Sequence, residues 1–178
     1  MLVALLIVAG CSASDDTSRT GSAVAPSAPE SIPSVELPEA PPCTDRAAVT
    51  PRRSDGGHYR PGAPERASLR EPGLAGTRLV IFGYVLFPDC RPVMGAVLDV
   101  WQADANGRYD DAGWRLRGIL HSDDSGRYMI ETIVPGRVDG ADPVVHIKAS
   151  EAPGGRILTT SVPVDDTVIR FDLVIEVG

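Results

Sequence analysis

Three histidines are the side chains of this sequence best suited to hold a metal ion or to move a proton near neutral pH. They are His58, His121 and His146, and each is isolated from the other two along the chain. His146 has apolar neighbours on both sides, and a single histidine in a strand is typically a hydrogen-bonded core residue rather than a ligand. His121 precedes an acidic turn, where solvent is the default environment. A site built on these residues would therefore combine parts of the chain that are far apart in sequence.

No sequence motif for phosphate binding or nucleophilic catalysis accompanies these histidines. The chain contains no glycine-rich phosphate loop, no Ser-His-Asp arrangement with supporting context and no Cys-His nucleophile pair. Its formal net charge of −7 argues against a nucleic-acid footprint, which needs clustered lysine and arginine. We therefore predict no nucleic-acid partner.

Short β-strands separated by turns must position these side chains. Residues 95–102 alternate valine and tryptophan with other side chains, as a half-buried strand does. The turn at residues 104–107 then delivers Tyr109, and His146 lies in a later strand. Further strands are predicted at residues 78–87, 116–122, 127–134, 144–150, 157–164 and 167–177. Seven or eight strands without a helical period of usable length predict an all-β fold, an antiparallel β-sandwich.

The sequence divides into three parts. Residues 1–10 are an almost unbroken apolar run, too short at roughly ten residues to span a bilayer as a helix and typical of a secretory signal. The run ends in Val-Ala-Gly-Cys at Cys11, which resembles the bacterial lipobox, whose cysteine becomes the lipidated first residue. Residues 12–42 are rich in serine, alanine, proline and acidic residues and predict a disordered tether. Residues 43–178 form the predicted folded domain, which includes an irregular segment at residues 50–71.

These N-terminal features predict an exported protein that is held at a membrane. Lipid on Cys11 would anchor the chain at the periplasmic face of an outer membrane or at the cell surface. An ordinary exported signal peptide with a chance cysteine at its end is the alternative. In an exported protein, Cys43 and Cys90 are predicted to form a disulfide, with two buried free thiols as the alternative.

A series of motifs between Val97 and His146 links this chain to a known family. Trp-Gln-Ala-Asp is followed by Gly-Arg-Tyr, then by Asp-x-x-Gly-Arg-Tyr, Thr-Ile-x-Pro-Gly and a histidine within a strand. A second match, Gly-His-Tyr-Arg-Pro-Gly-Ala-Pro-Glu-Arg, occupies residues 57–66. The sequence from His58 to Val177 thus resembles the intradiol ring-cleavage dioxygenases. The resemblance implies a β-sandwich enzyme that opens catechols between their two hydroxyls, using non-haem Fe(III) held by two tyrosines and two histidines.

The resemblance retains only half of that ligand set. Tyr109 falls on the first ligand tyrosine and His146 on the second ligand histidine. The second tyrosine falls on Val138 and the first histidine on Val144, and valine cannot coordinate a metal. A site in which another histidine or a carboxylate joins Tyr109 and His146 is the alternative. Fe(III) is the expected cofactor if the family activity survives, and otherwise no cofactor is predicted.

The substrate side of the family site is altered as well. The family arginine has no counterpart at Ala141 or Asp142, and the family glutamine falls on Ser161. Residues with scaffold roles are kept, namely Gly95, Trp101, Asp104, Gly107, Gly126, Tyr128, Pro135 and Gly136. We interpret the chain as a family member that keeps the fold, has lost ferric catalysis and binds a small aromatic ligand or a partner. An active dioxygenase that cleaves a catechol-type ring and a structural β-sandwich module are the two alternatives.

Overall fold

The computed structural model describes Cys43 and residues 46–176, and these residues form eight β-strands and no helix. In chain order the strands are β1 (Arg78–Leu86), β2 (Val97–Gln102), β3 (Arg117–His121), β4 (Arg127–Ile133), β5 (Val144–Ser150), β6 (Ile157–Pro163), β7 (Val168–Arg170) and β8 (Leu173–Val174). Each strand lies within a stretch that the sequence predicts to be extended. The predicted all-β class is therefore confirmed.

The strands form two four-stranded sheets. One sheet has the order β4-β1-β7, with β8 also paired to β1, and the other has the order β3-β2-β5-β6. All neighbours in the second sheet are antiparallel, as is the pair of β1 with β4. Only β7 and β8 depart from the predicted antiparallel pattern among the described strands, because both run parallel to β1.

The last predicted strand, residues 167–177, is interrupted between β7 and β8. Asp172 lies in the gap, and its Oδ1 accepts a hydrogen bond from Tyr84 N at 3.0 Å. The carbonyl of Phe171 sits so close to β1 that a Cβ on Gly83 would lie 2.1 Å from its oxygen. The strand is thus interrupted where the chain comes so close to β1 that only glycine fits at position 83. The alternation of apolar and polar side chains in the sequence does not predict this interruption.

Strand residues alternate between the core and a second face. In β2, Leu98 and Val100 are fully buried, and they pack in one cluster with Ile147 of β5 and Ile130 of β4. Burying each such side chain contributes about 1.5–3 kcal/mol. Because successive side chains of a strand point to opposite faces, the intervening positions form a second face of the β3-β2-β5-β6 sheet. On β2 and β5 this face carries Asp99, Trp101, Val144, His146 and Lys148.

The irregular segment at residues 46–77 closes both sides of the sandwich. On one side, Ile119 N of β3 donates to Pro64 O at 2.9 Å, and Leu69 N donates to a carbonyl of β4 at 2.9 Å. On the other side, Thr50 N donates to a carbonyl of β8 at 3.1 Å, and Arg53 N to a carbonyl of β6 at 2.7 Å. These bonds use strand edges that would otherwise be open to another chain. The segment thus crosses the domain as the sequence predicts.

A disulfide joins Cys43 to Cys90 in the turn after β1, and the two residues are 47 positions apart in sequence with Cα atoms 5.5 Å apart. Closing a loop of this length stabilises the fold by about 4 kcal/mol in the chain-entropy estimate. Cys43 and Ala47 also pack against Leu86 and Val174. The start of the described chain is therefore attached covalently and by apolar contact.

The predicted signal segment at residues 1–11, including Cys11, and the predicted tether at residues 12–42 lie outside the described residues. Within the described part of the chain, no helix is long and apolar enough to cross a membrane.

Candidate functional site

The second face of the β3-β2-β5-β6 sheet holds the residues that could do chemistry. Trp101 of β2 and His146 of β5 are register partners, and their rings stack with centroids 5.0 Å apart at an interplanar angle of 10°. Residues 55–60, here called the covering segment, lie over this face, and Tyr59 packs its ring on Trp101 with centroids 4.9 Å apart. Only 1% of Trp101 is exposed. The site is therefore enclosed between a sheet face and an irregular segment.

The loop after β2 brings Tyr109 to this face. The Oδ1 atom of Asp104 accepts a hydrogen bond from Arg108 N at 3.0 Å, which folds the loop back on itself. Gly107 has a φ of +76°, and a Cβ at this position would lie 2.0 Å from Arg137 O. The loop can therefore pack against the chain after β4 only with glycine at this position. The sequence correctly predicts that this turn delivers Tyr109.

Tyr109 and His146 form a hydrogen-bonded pair, with Tyr109 Oη 2.8 Å from His146 Nε2. Burial raises the pKa of Tyr109. Burial lowers the pKa of His146 to about 4, and the electrostatic effects of the neighbouring His58 and Arg117 act in the same direction. Both groups are therefore neutral at pH 7, and the pair carries no net charge.

Two buried atoms beside this pair have no hydrogen-bond partner among the described residues. They are His146 Nδ1 and Trp101 Nε1, which belong to the two stacked rings. A buried polar atom without a partner costs about 1–3 kcal/mol, and the large majority of buried side-chain polar atoms in folded proteins are paired. The site thus keeps hydrogen-bonding capacity that a ligand or a local rearrangement could use.

His58 of the covering segment stacks on the ring of Tyr109, with centroids 4.0 Å apart and planes within 7° of parallel. Its Nδ1 donates to Asp111 Oδ2 at 3.0 Å. Arg117, whose side chain is 1% exposed, donates to Asp111 Oδ1 at 3.1 Å and to His58 O at 2.6 Å. A buried guanidinium therefore holds both the backbone of His58 and the carboxylate that orients its ring.

A second polar group attaches the covering segment to the sheet. Tyr59 Oη donates to Asp99 Oδ2 at 3.0 Å. Lys148 Nζ pairs with Asp55 Oδ2 at 2.5 Å and lies 3.9 Å from the ring centroid of Tyr59. Burial raises the pKa of Asp99, and burial together with the Asp99 charge raises the pKa of Tyr59 to about 12. The hydroxyl of Tyr59 therefore stays protonated and remains a donor.

The positions that the family resemblance assigns to the iron and substrate sites can now be placed in the fold. Val144 begins β5 two residues before His146, so its side chain shares that face. Ser161 of β6 is the register partner of His146. Val138 and Ala141 pair across a tight turn after β4, in which Ala141 N donates to Val138 O at 2.9 Å. The structure thus brings Tyr109 and His146 into contact, with Val144 on the same sheet face and Val138 in the turn after β4.

The remaining histidines, His121 and His58, contact other side chains. His121 lies at the end of β3, where its Nε2 is 3.5 Å from Glu65 Oε1. An ion bound to a ring nitrogen of His58 would lie in the plane of that ring. Because the His58 and Tyr109 rings are stacked in parallel planes, the phenol oxygen lies outside the plane of the imidazole. The two side chains are thus not oriented to bind the same ion. Among the described residues, no group of three or more His, Cys, Asp and Glu side chains is placed to hold a metal ion.

Sequence reasoning did not identify Asp99, Asp111, Arg117 and Lys148 as site residues. Asp111 and His58 are 53 positions apart, and their contact depends on how the covering segment crosses the sheet. The sequence does contain a signal for Asp99 and Lys148. Asp99 lies two residues before Trp101 in β2, and Lys148 lies two residues after His146 in β5. A period of two would have placed them on the same face.

Comparison with known proteins identifies the family. Residues 57–153 match the sequence model of the family described as Dioxygenase. The chain is 38% identical over 105 residues to 6-chlorohydroxyquinol 1,2-dioxygenase of Cupriavidus pinatubonensis, covering 56% of this chain and 36% of that protein. It is 30% identical over 149 residues to catechol 1,2-dioxygenase 2 of Acinetobacter lwoffii, covering 69% of this chain and 54% of that protein. The chain thus spans about a third to a half of the length of these relatives.

Solved structures agree with the sequence comparison. The dioxygenase domain of a dioxygenase carbohydrate-binding protein fusion from Streptomyces sp. SirexAA-E superimposes with a TM-score of 0.67 at 31% identity, covering 74% of this chain and 100% of that chain. Hydroxyquinol 1,2-dioxygenase from Pseudomonas putida DLL-E4 has a TM-score of 0.60 at 24% identity, covering 76% of this chain and 68% of that chain, and shares the fold.

The two sheets, the covering segment and the Tyr109 turn together define a dioxygenase-type β-sandwich. The chain belongs to the intradiol ring-cleavage dioxygenase family. The resemblance of its motifs to that family is thereby confirmed.

Proposed function

We propose that this domain no longer performs ferric ring cleavage and instead binds a small planar ligand at the Tyr109 site. The observation that supports the proposal most directly is the 2.8 Å hydrogen bond between Tyr109 Oη and His146 Nε2. These two atoms are the donors that the family pattern assigns to iron, and here each satisfies the other. Binding an ion would require this bond to break without the help of two of the family ligands.

The aliphatic side chains at the vacated positions support the same proposal. Val138 and Val144 stand where the family pattern has a phenol and an imidazole. Fe(III) is a hard ion that needs anionic oxygen ligands, so Tyr109 would have to lose its proton. Apolar surroundings disfavour that step because they raise the cost of placing a charge. We therefore infer that the protein holds no stoichiometric iron.

The aromatic rings around the Tyr109–His146 hydrogen bond offer surfaces on which a planar ligand could stack. His58, Tyr109, His146, Trp101 and Tyr59 contact one another as stacked or tilted rings. A planar molecule that stacks on such a ring gains about 0.5–1.5 kcal/mol beyond its buried area. The side chain of His58 is 44% exposed, so the ring cluster reaches solvent at that point.

We also propose that a lipid on Cys11 anchors the chain to a membrane. The support is the apolar run at residues 1–10 with a cysteine directly after it. Cys11→Ala should move the protein from the membrane fraction to the soluble fraction or stop its processing. Cys43→Ser, which removes a disulfide cysteine, should leave the membrane fraction unchanged. Equal membrane association of Cys11→Ala and the unmodified protein would contradict the anchor.

Ring cleavage is the second candidate function, and the names of the relatives favour it. In that case Tyr109 and His146 would hold Fe(III) with water or another side chain in the remaining positions. An optical and metal analysis of the full chain separates the two candidates. After iron loading and desalting, we expect substoichiometric iron, no visible tyrosinate band and no cleavage of catechol or hydroxyquinol. Stoichiometric iron with ring cleavage would overturn the proposal.

A thermal-shift screen of planar aromatic compounds on the same preparation tests the binding role. A saturable, concentration-dependent rise in Tm supports ligand binding. A folded protein that responds to none of the compounds would favour the structural-module alternative.

A further inference from the structure

The imidazole of His58 occupies one face of Tyr109 at the edge of the site. The two rings are nearly parallel, with centroids 4.0 Å apart, and Nδ1 of His58 donates to Asp111 Oδ2 at 3.0 Å. The side chains of His58 and Asp111 are 44% and 56% exposed. The ring is thus held by one aromatic face and one carboxylate, at a position that solvent can reach.

Arg117 keeps the Asp111 carboxylate in place as an acceptor. Its Nη2 donates to Asp111 Oδ1 at 3.1 Å, and its Nε donates to Asp110 O at 2.9 Å. A guanidinium is always charged in proteins, so the carboxylate faces a permanent positive charge. The acceptor that receives the N–H of His58 therefore exists whether or not that ring is present.

The backbone of the covering segment is held independently of the His58 ring. Arg117 Nη1 donates to His58 O at 2.6 Å, and Arg60 Nη1 donates to Gly113 O at 2.8 Å. Tyr59 is bonded to the sheet through Asp99 at 3.0 Å. None of these bonds uses the imidazole, so a side-chain rotation removes the ring and leaves the segment in place. Such rotamer changes are fast for partly exposed side chains.

We propose that the ligand of this site is a planar nitrogen heterocycle with an N–H donor, which replaces the His58 imidazole between Tyr109 and Asp111. The inference rests on the proposed ligand-binding function and specifies its ligand class. The resident ring shows what the site recognises, because a flat ring stacks on the phenol while its N–H donates to the carboxylate. His58 therefore acts as an internal occupant that the ligand displaces.

Competition with the resident ring sets the size of the expected effect. When a binding-competent state is only partly populated, the apparent affinity falls by that fraction. If His58 covers Tyr109 in nine of ten molecules, the wild-type protein binds a free heterocycle about tenfold more weakly than a variant without the ring.

Imidazole titrated into the full-length protein tests the proposal, with binding followed by NMR or calorimetry. His58→Gly should bind imidazole at least tenfold more tightly than the wild type. It should also prefer imidazole to 1-methylimidazole, which has no N–H, at a pH where both are mostly neutral. Asp111→Leu added to His58→Gly, which removes both acceptor oxygens, should remove that preference. His121→Gly is the matched control, because His121 is 43% exposed and pairs with Glu65 but joins none of the described ring stacks.

If His58→Gly and the wild-type protein bound imidazole with equal affinity, the proposal that the ligand displaces the His58 ring would be wrong. Equal affinities for imidazole and 1-methylimidazole, or tighter binding of catechol, would overturn the ligand class. If glycine loosens the covering segment, as judged by Tm, His58→Ala repeats the titration with a β-carbon in place. Iron content and the visible spectrum, measured on the same samples, test the proposed function separately. Stoichiometric iron would contradict the proposed ligand-binding function. If no iron is bound and the imidazole test fails, only the proposed ligand class is contradicted.

Discussion

The Nζ atom of Lys148 lies 3.9 Å from the ring centroid of Tyr59 and 2.5 Å from Asp55 Oδ2. One lysine of β5 therefore contacts two residues of the covering segment, one through a ring face and one through a carboxylate. His146 lies two positions before this lysine on the same face of β5. The lysine thus helps to hold the covering segment over the site.

Lys148→Met should lower the free energy of unfolding by about 1–2 kcal/mol. The substitution keeps most of the aliphatic stem but removes the charge, and a cation over an aromatic face is worth about 0.5–2 kcal/mol depending on desolvation. Arg156→Met is the control, since Arg156 and Glu176 are both more than half exposed and 3.5 Å apart. Its effect should stay below about 0.5 kcal/mol. Denaturant unfolding measures both, and equal losses would contradict a specific role for Lys148.

Val138→Tyr combined with Val144→His should create iron affinity and a visible tyrosinate band. The double variant restores the second phenol and the first imidazole, so together with Tyr109 and His146 it supplies four protein ligands. Either substitution alone should have little effect. Val138→Phe with Val144→His is the matched control, because it adds a ring of similar size without the phenol oxygen. Iron binding and colour in that control would show that the second tyrosine is not required.

Acidification should weaken the fold through His146. Its pKa is lowered from 6.5 to about 4 in the folded state, so the unfolded chain takes up a proton first as the pH falls. The stabilisation from neutral His146 is complete above about pH 6.5 and is lost as the pH falls to about 4, with a total of at most about 3 kcal/mol. His146→Asn should show a smaller loss between pH 7 and pH 4.5 in denaturant unfolding. Identical pH profiles for His146→Asn and wild type would refute the assignment.

Gly107→Ala should destabilise the protein and displace Tyr109. The added Cβ would meet Arg137 O at 2.0 Å, and the backbone at this residue has a φ of +76°. Gly140→Ala is a matched control, because its φ is +81° and a Cβ there meets nothing within 4 Å. The control should cost about 1 kcal/mol from backbone strain alone, and Gly107→Ala should cost at least about 2 kcal/mol. If both variants lost a similar amount of folding stability, the close contact with Arg137 O would not explain the effect of Gly107→Ala.

The parts of this fold that follow from local chemistry were predictable from sequence. Alternation of apolar residues predicts β2 and β5, and the turn at residues 104–107 predicts where Tyr109 emerges. The pairing of Cys43 with Cys90 that the sequence predicts is the pairing in the structure. Each of these features depends on side chains close together in sequence or on a small number of candidate partners.

The parts that depend on packing between distant segments were not predictable. Arginine side chains are mostly exposed in folded proteins, yet that of Arg117 is 1% exposed, and it bonds to Asp111 and to the carbonyl of His58 in the covering segment. The interruption between β7 and β8 depends on how closely Phe171 approaches Gly83. The stack of His58 on Tyr109 depends on where the covering segment crosses the sheet. No local pattern encodes any of these three contacts.

The Cys43–Cys90 disulfide has a mechanical consequence. A pulling force applied to the chain before Cys43 passes through the sulfur atoms directly to Cys90 at the turn after β1. The covering segment and β1 lie inside the closed loop, so they carry none of the load while the disulfide is intact. After reduction, the same force would run through residues 44–89, where it would load the bonds of Thr50 and Arg53 to β8 and β6 before it reached the covering segment. Tension on the N-terminal side can therefore reach the covering segment along the backbone only in the reduced protein.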